Sequence, residues 1–324
     1  MGDVAMTVPV LRAFNQQHPN IKITVLTRPF FAPIFQGITN VSVYPIELKS
    51  KHKGIFGLYR LSKELKKLNI DAIADLHNVL RSKILKLFLV EIRTIQIDKG
   101  RTEKKALVSG KIFKQLKTTQ QRYADVFIKL GFNVDLSNPK FPEKGPLTKN
   151  VLNITGEKTN KWIGIAPFAA HDSKMYPIDL MEEVIEQLSI SNKIILFGGG
   201  EHEIKILNEL ESKFEKVINV AGKLSFKEEL DLISNLDLML SMDSGNAHIA
   251  AMFGIKVVTI WGVTHPFAGF APYHQPEDYG LLSDRTKFPL IPTSIYGNKY
   301  PENYKEASRS IPPEVVVKKI ESIL

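Results

Sequence analysis

The chain has 324 residues, 44% of them hydrophobic and 24% charged, which is enough to bury two ordinary cores. It holds no cysteine, so disulfides, thiolate metal sites and a cysteine nucleophile are excluded together, and the composition suits a reducing compartment. The formal charge of +9 is uneven: residues 1–150 carry 26 Lys and Arg against 11 Asp and Glu, and residues 151–324 carry 17 against 23, which points either to an anionic partner for the first half or to a solvated basic face.

Met1-Gly2-Asp3 leads straight into an amphipathic helix over Met6–His18, with no secretory pattern ahead of it. A strand over Ile21–Thr27 follows, then a short strand at Val41–Tyr44, a helix over Phe56–Leu68 and a strand at Ala72–Leu76. Arg81–Leu89 reads as a helix and Ile92–Ile97 as a strand with β-branched residues spaced by two. Ile84–Ile92 is the longest apolar candidate, and Lys86 and Glu91 interrupt it well short of the ~18 residues a spanning helix needs. The chain therefore reads as soluble and cytosolic. Asp98–Gln121 is basic and weakly periodic, Arg122–Leu130 is a helix, and the proline-rich 139–150 reads as an interdomain linker.

The second half is more regular. Strands are expected at Trp162–Ala166, Lys193–Phe197, Val217–Val220, Leu236–Leu240 and Val257–Trp261, and helices at Pro177–Ser189, Glu201–Phe214, Phe226–Asn235 and Asn246–Phe253. A helix over Pro312–Leu324 closes the chain. Alternating strands and helices with short loops imply an α/β fold with parallel sheets covered on both faces, in two domains, 1–150 and 151–324. A doubly wound domain normally opens on a buried central strand whose loop carries function. Here the chain opens on what should be that loop, so the expectation is that the first N-terminal strand is missing and the true start lies upstream; the plainer alternative is a domain that starts with a helix.

The stretch Ser241-Met242-Asp243-Ser244-Gly245-Asn246-Ala247-His248 joins a buried strand to an apolar helix through a tight turn, the arrangement by which α/β folds hold an anion at a helix N-terminus. Gly198-Gly199-Gly200 before a helix suits a close nucleotide approach, although it is not Gly-x-Gly-x-x-Gly. Glu201 or Glu203 suits a ribose hydroxyl, and each equally suits a first-turn acid at a helix N-terminus. The eight histidines are scattered, with no His-x-x-x-His or carboxylate triplet, so no metal is expected. No nucleic-acid-binding motif accompanies the basic half.

Gly2-Asp3-Val4-Ala5-Met6-Thr7-Val8-Pro9-Val10-Leu11-Arg12-Ala13, Asp75-Leu76-His77-Asn78 with Arg81-Ser82, Ala166-Pro167-Phe168 with Lys174-Met175-Tyr176-Pro177, and Asp243-Ser244-Gly245-Asn246-Ala247-His248 together resemble the ADP-heptose:lipopolysaccharide heptosyltransferases, glycosyltransferase family 9. The resemblance spans nearly the whole chain in order. It implies a GT-B fold, two Rossmann-like domains facing a cleft, with an acceptor-binding N-terminal domain and a donor-binding C-terminal one. It also implies metal-independent, inverting transfer of heptose or a related sugar from an ADP-activated donor to the anionic lipopolysaccharide core, at the inner face of the cytoplasmic membrane.

Such a transfer needs a base for the acceptor hydroxyl and positive charge with oriented N–H groups for the leaving diphosphate. The resemblance makes Asp3 the base, where the residues alone suit a helix N-cap equally. Lys174 becomes the point charge, where it otherwise reads as a surface lysine. Ser244 and Gly245 offer hydroxyl and backbone donors to the phosphates, Asp243 orients the loop or bonds a sugar hydroxyl, and His248 lies one turn into the helix on the side of Ser244. Glu203 and Leu224 fall where the family holds the nucleoside. Ala169 and Ala170 stand where members often carry hydroxyls, so only their backbone N–H groups can serve the donor. Arg81, Arg122 and the basic stretch Lys99–Lys117 are the candidate acceptor contacts. Two other readings share this fold: a nucleotide-sugar epimerase-like enzyme, and a non-catalytic nucleotide-sugar binding protein.

Overall fold

A computed structural model describes all 324 residues. In chain order the elements are α1 (Gly2–Ala5), α2 (Thr7–Gln17), β1 (Ile23–Thr27), β2 (Val41–Pro45), α3 (Gly54–Lys66), β3 (Ala72–Asp75), α4 (Leu80–Leu87), β4 (Arg93–Gln96), α5 (Arg101–Val108), α6 (Thr119–Leu130) and α7 (Lys149–Thr155). They continue as β5 (Trp162–Ala166), α8 (Ile178–Ser189), β6 (Lys193–Leu196), α9 (Glu201–Glu211), β7 (Val217–Asn219), α10 (Phe226–Ser234), β8 (Leu238–Met242), α11 (Gly245–Met252), β9 (Lys256–Trp261), β10 (Gly280–Leu282) and α12 (Pro313–Ile323). Contacts divide the chain into two compact units: Met1, Asp3–Gly100 and Thr119–Lys140 form the first, and Gly2, Arg101–Thr118 and Phe141–Leu324 the second.

The first unit carries two separate two-stranded parallel sheets, β1 with β2 and β3 with β4. Their strands are mostly half-buried. Leu58, Leu61 and Leu65 of α3 pack with Leu85 and Leu89 from α4 and its exit, joined by Leu26 and Ile73 from both sheets. Helices α2 and α6 also pack together; Phe14 stacks against Phe127 with ring centroids 4.6 Å apart.

The second unit is built on one six-stranded parallel sheet in the order β10-β9-β8-β5-β6-β7. Strands β5 and β8 are buried along their whole length, as sheets covered by helices on both faces require. That is why their apolar runs are continuous rather than alternating. From β5 the chain winds outward through β6 and β7, then returns to β8 on the other side and winds outward again. The order therefore reverses between β5 and β8, with Ala166 paired to Ser241 at their C-terminal ends. Ligands of open α/β sheets bind outside the strand ends at such a reversal.

The segment Arg101–Thr118 lies inside 1–150 yet groups with the second unit. Leu107 and Leu116 pack with Ala268, and Ile112 joins Phe267 and Phe270 around them. The Lys104 ammonium sits 4.0 Å from the Phe270 ring centroid, and the Arg285 guanidinium 3.6 Å from that of Phe113. The Leu116 N–H donates to the Phe267 carbonyl at 2.9 Å. The weak periodicity of this stretch conceals helix α5, because the apolar partners of its residues lie far downstream.

Candidate active site

The loops leaving β5 and β8 bring the central residues together. Lys174 ends a 3₁₀ turn at Asp172–Lys174, and its ammonium lies 2.8 Å from Asp243 Oδ2, with only 12% and 9% of the two side chains exposed. The same carboxylate oxygen accepts from Thr264 Oγ1 at 2.9 Å. Burying a charged side chain costs a lot unless it is paired and hydrogen-bonded; Asp243 supplies the pair for Lys174, and Thr264 fixes that carboxylate. This excludes the surface-lysine alternative for Lys174, and it gives Asp243 an orienting part.

Backbone geometry locks this pair. A Cβ on Gly262 would lie 2.1 Å from the Ser173 carbonyl oxygen, and Val263 N–H donates to that oxygen at 3.1 Å. Ser173 Oγ donates to the Gly297 carbonyl at 2.5 Å. Gly297 has φ +81°, and a Cβ there would fall 2.5 and 2.6 Å from Cγ and Cδ of Lys174. The loop around Gly297 is thus a wall against which the lysine stem is pressed. Sequence reasoning missed Ser173, Gly262, Thr264 and Gly297. Only Gly262 and Thr264 carried a hint, because they follow β9, the neighbour of β8 in the sheet.

Ser244 is the extended N-cap residue of α11, and its hydroxyl lies 3.0 Å from that of Ser241. The first-turn N–H groups of a helix have no partner within it and carry positive partial charge, so Gly245 and Asn246 present donors at the sheet reversal. Residues Ala247–Met252 of α11 are all buried, His248 among them, which accounts for a helix that is apolar all round. Phe168 and Ala169 are half-buried after β5, and Ala170 is exposed.

At the neighbouring strand end, Glu203 Oε2 accepts the Gly199 N–H at 2.7 Å. The carboxylate that the sequence offers for ribose or for a helix start thus also fixes the Gly-Gly-Gly turn. Leu224 is half-buried in the loop before α10, and Glu201 is exposed.

In the first unit, Asp3 is exposed inside α1, so it is a first-turn acid rather than an N-cap. Its backbone carbonyl accepts the Tyr123 phenol at 3.3 Å. Burial, with a smaller contribution from the Asp3 charge, pushes the Tyr123 phenol well above its ordinary pKa, so it stays a neutral donor. Arg81 is exposed at the start of α4. Arg122 is buried: its Nη1 donates to the Asp98 carbonyl at 3.3 Å, and Gly100 approaches so closely that a Cβ would fall 2.3 Å from the guanidinium.

The profile of glycosyltransferase family 9 (heptosyltransferase) matches residues 58–287. The lipopolysaccharide core heptosyltransferase OpsX of Haemophilus influenzae is 24% identical over 292 residues, covering 86% of this chain and 80% of that protein. Two solved structures show the fold to be GT-B. The glycosyl transferase family 9 structure from Veillonella parvula superposes with TM-score 0.76 at 20% identity, covering 99% and 94% of the two chains. The Escherichia coli heptosyltransferase WaaC with ADP gives 0.66 at 20% identity, covering 100% and 97%. With the family profile matching most of its length, on a sheet whose reversal point carries a held lysine and a helix N-terminus, the chain belongs to glycosyltransferase family 9 and is a glycosyltransferase.

Proposed function

We propose that the chain transfers heptose, with inversion, from ADP-heptose to the core of a lipopolysaccharide acceptor, with Asp3 as general base. The observation that carries this reading is the Lys174–Asp243–Thr264 cluster beside the N-terminus of α11, a cation and a set of N–H donors suited to a leaving diphosphate. The WaaC structure with ADP and the name of OpsX support the donor and the acceptor class.

In this reading the acceptor oxygen attacks the anomeric carbon, the bond from that carbon to the diphosphate oxygen breaks, and ADP leaves with the electron pair. The acceptor proton passes to the Asp3 carboxylate. One displacement inverts the configuration. Lys174, the Ser244 hydroxyl, the Gly245 amide and the backbone N–H groups of Ala169 and Ala170 take the diphosphate, and His248 supports that end of α11. Glu203 and Leu224 flank the nucleoside. Arg81 meets acceptor phosphates, and Arg122 acts through the Asp98–Gly100 loop that it braces. No helix is long and apolar enough to cross a membrane; in this reading a lipid-linked acceptor is met at a membrane surface.

The test contrasts two variants. Asp3→Asn is expected to lower kcat by about 100-fold or more while ADP binding stays near wild type. Lys174→Ala is expected to weaken ADP binding as well. A normal transfer rate for Asp3→Asn would remove Asp3 from the mechanism.

A further inference from the structure

Helices α3 and α4 pack side by side through Leu58, Leu61, Leu65, Leu85 and Leu89, and a Tyr59–Phe88 ring contact at 5.4 Å links them further out. Their outer faces are not polar in the way a solvated helix pair should be. On α3, Phe56, Tyr59, Arg60 and Lys63 follow the i, i+3, i+4, i+7 spacing of one face, and all four are exposed, Phe56 to 90%. On α4, Leu80, Lys83 and Leu87 share one face in the same way, with Leu80 73% and Leu87 70% exposed. Ile55, at 61%, and Val90, at 77%, are exposed at the start of α3 and after the end of α4. The Lys63 ammonium lies 4.6 Å from the Tyr59 ring centroid, so apolar and cationic groups are interleaved rather than segregated.

We infer that the outer faces of α3 and α4 form a surface that docks on an anionic lipid bilayer. Charge selects this occupant. Residues 51–91 hold nine Lys and Arg against four acids. Of the acids, Glu64 is bound by Lys51, His52 and Tyr44, Asp75 is buried against Lys86, and Glu91 is paired with Lys66. That leaves Asp71 as the one acid without such a cation. Apolar side chains set among lysines and arginines match the boundary between acyl chains and anionic headgroups. A second copy of the same basic face would repel it. The inference rests on the reading that the acceptor is lipid-linked, since only such an acceptor requires an enzyme with this surface.

The experiment is co-sedimentation of the full chain with vesicles of phosphatidylglycerol and phosphatidylethanolamine, against vesicles of phosphatidylcholine alone. The wild type is expected to bind the anionic vesicles, more weakly as salt rises, and to bind the neutral ones poorly. The double variant F56S/L80S is expected to lose about tenfold or more in vesicle affinity, as is K63E/K83E. Both should keep the wild-type melting temperature and the wild-type transfer rate on a deacylated, water-soluble acceptor. Three results would overturn the proposal: no binding of the wild type to anionic vesicles, unchanged binding of both variants, or a wild-type dimer that F56S/L80S dissociates. Failure of transfer to the soluble acceptor by the wild type would instead refute the reading of the reaction, whatever the vesicles show.

Discussion

Lys174 sits in a nearly closed setting with Asp243 2.8 Å away, and Thr264 donates to the same carboxylate oxygen. His265, the next residue, shows the opposite solution. Burial, and then the nearby Arg285 charge, lower its pKa to about 4, and its neutral Nδ1 accepts the Phe267 N–H at 3.2 Å. The unfolded chain takes up this proton near the ordinary imidazole value of ~6.5. The folded chain takes it only near 4, so the unfolded state binds more protons between those values. His265 therefore leaves stability intact above about pH 6.5 and erodes it as pH falls toward 4. Denaturant melts across that window should show a shallower acid loss for His265→Gln than for the wild type, and parallel curves would exclude this account. Asp243, Ser244 and His248 were readable from a buried run, a tight turn and an apolar helix in succession. Thr264 and Gly297 were not, because the fold alone brings them in; Gly297 bonds Ser173 across 124 positions of chain. That Arg122 is buried was not readable, because the Asp98 carbonyl that its guanidinium meets lies 24 positions upstream.

At the scale of elements, the strands of the second unit were the easiest to read, since β5 and β8 are buried throughout and their apolar runs are unbroken. Helix α7 begins at the end of the proline-rich stretch, and its start depends on the Thr148 side chain accepting from Val151 N–H. Strand β10, three residues long, is too short for any periodicity. The loop carrying Gly297 is the element on which the position of Lys174 depends most. Gly297→Ala combines a left-handed backbone with a clash against the lysine stem, whereas Gly110, at φ +72°, faces open space. Gly110→Ala thus isolates the backbone strain, about 1 kcal/mol. Gly297→Ala should destabilise more than this and weaken ADP binding about tenfold, which corresponds to ~1.4 kcal/mol. In a Lys174→Ala background it should leave ADP binding unchanged, as a shared pathway requires. Additive losses, measured by calorimetry, would show that the loop acts elsewhere.

At the scale of the whole molecule, the excess of positive charge lies in residues 1–150, and residues 151–324 are net acidic. In the proposed reaction the half that would take the diphosphate can still be acidic overall, because what it needs is local: Lys174 and the amides of α11. The basic excess of the other half suits an anionic acceptor and the bilayer that carries it. Family membership and the α/β architecture were legible from motifs spread along the chain. The grouping of Arg101–Thr118 with the second unit was not, since its contacts with Phe267, Phe270 and Arg285 are long-range in sequence. The most direct measurement is ADP release from ADP-heptose by the wild type, with and without a heptose-deficient lipopolysaccharide core acceptor. The account predicts release that depends on the acceptor and matches, mole for mole, heptose gained by the acceptor with inverted configuration. Release of ADP at the same rate without acceptor, or tight ADP binding with no turnover, would contradict it.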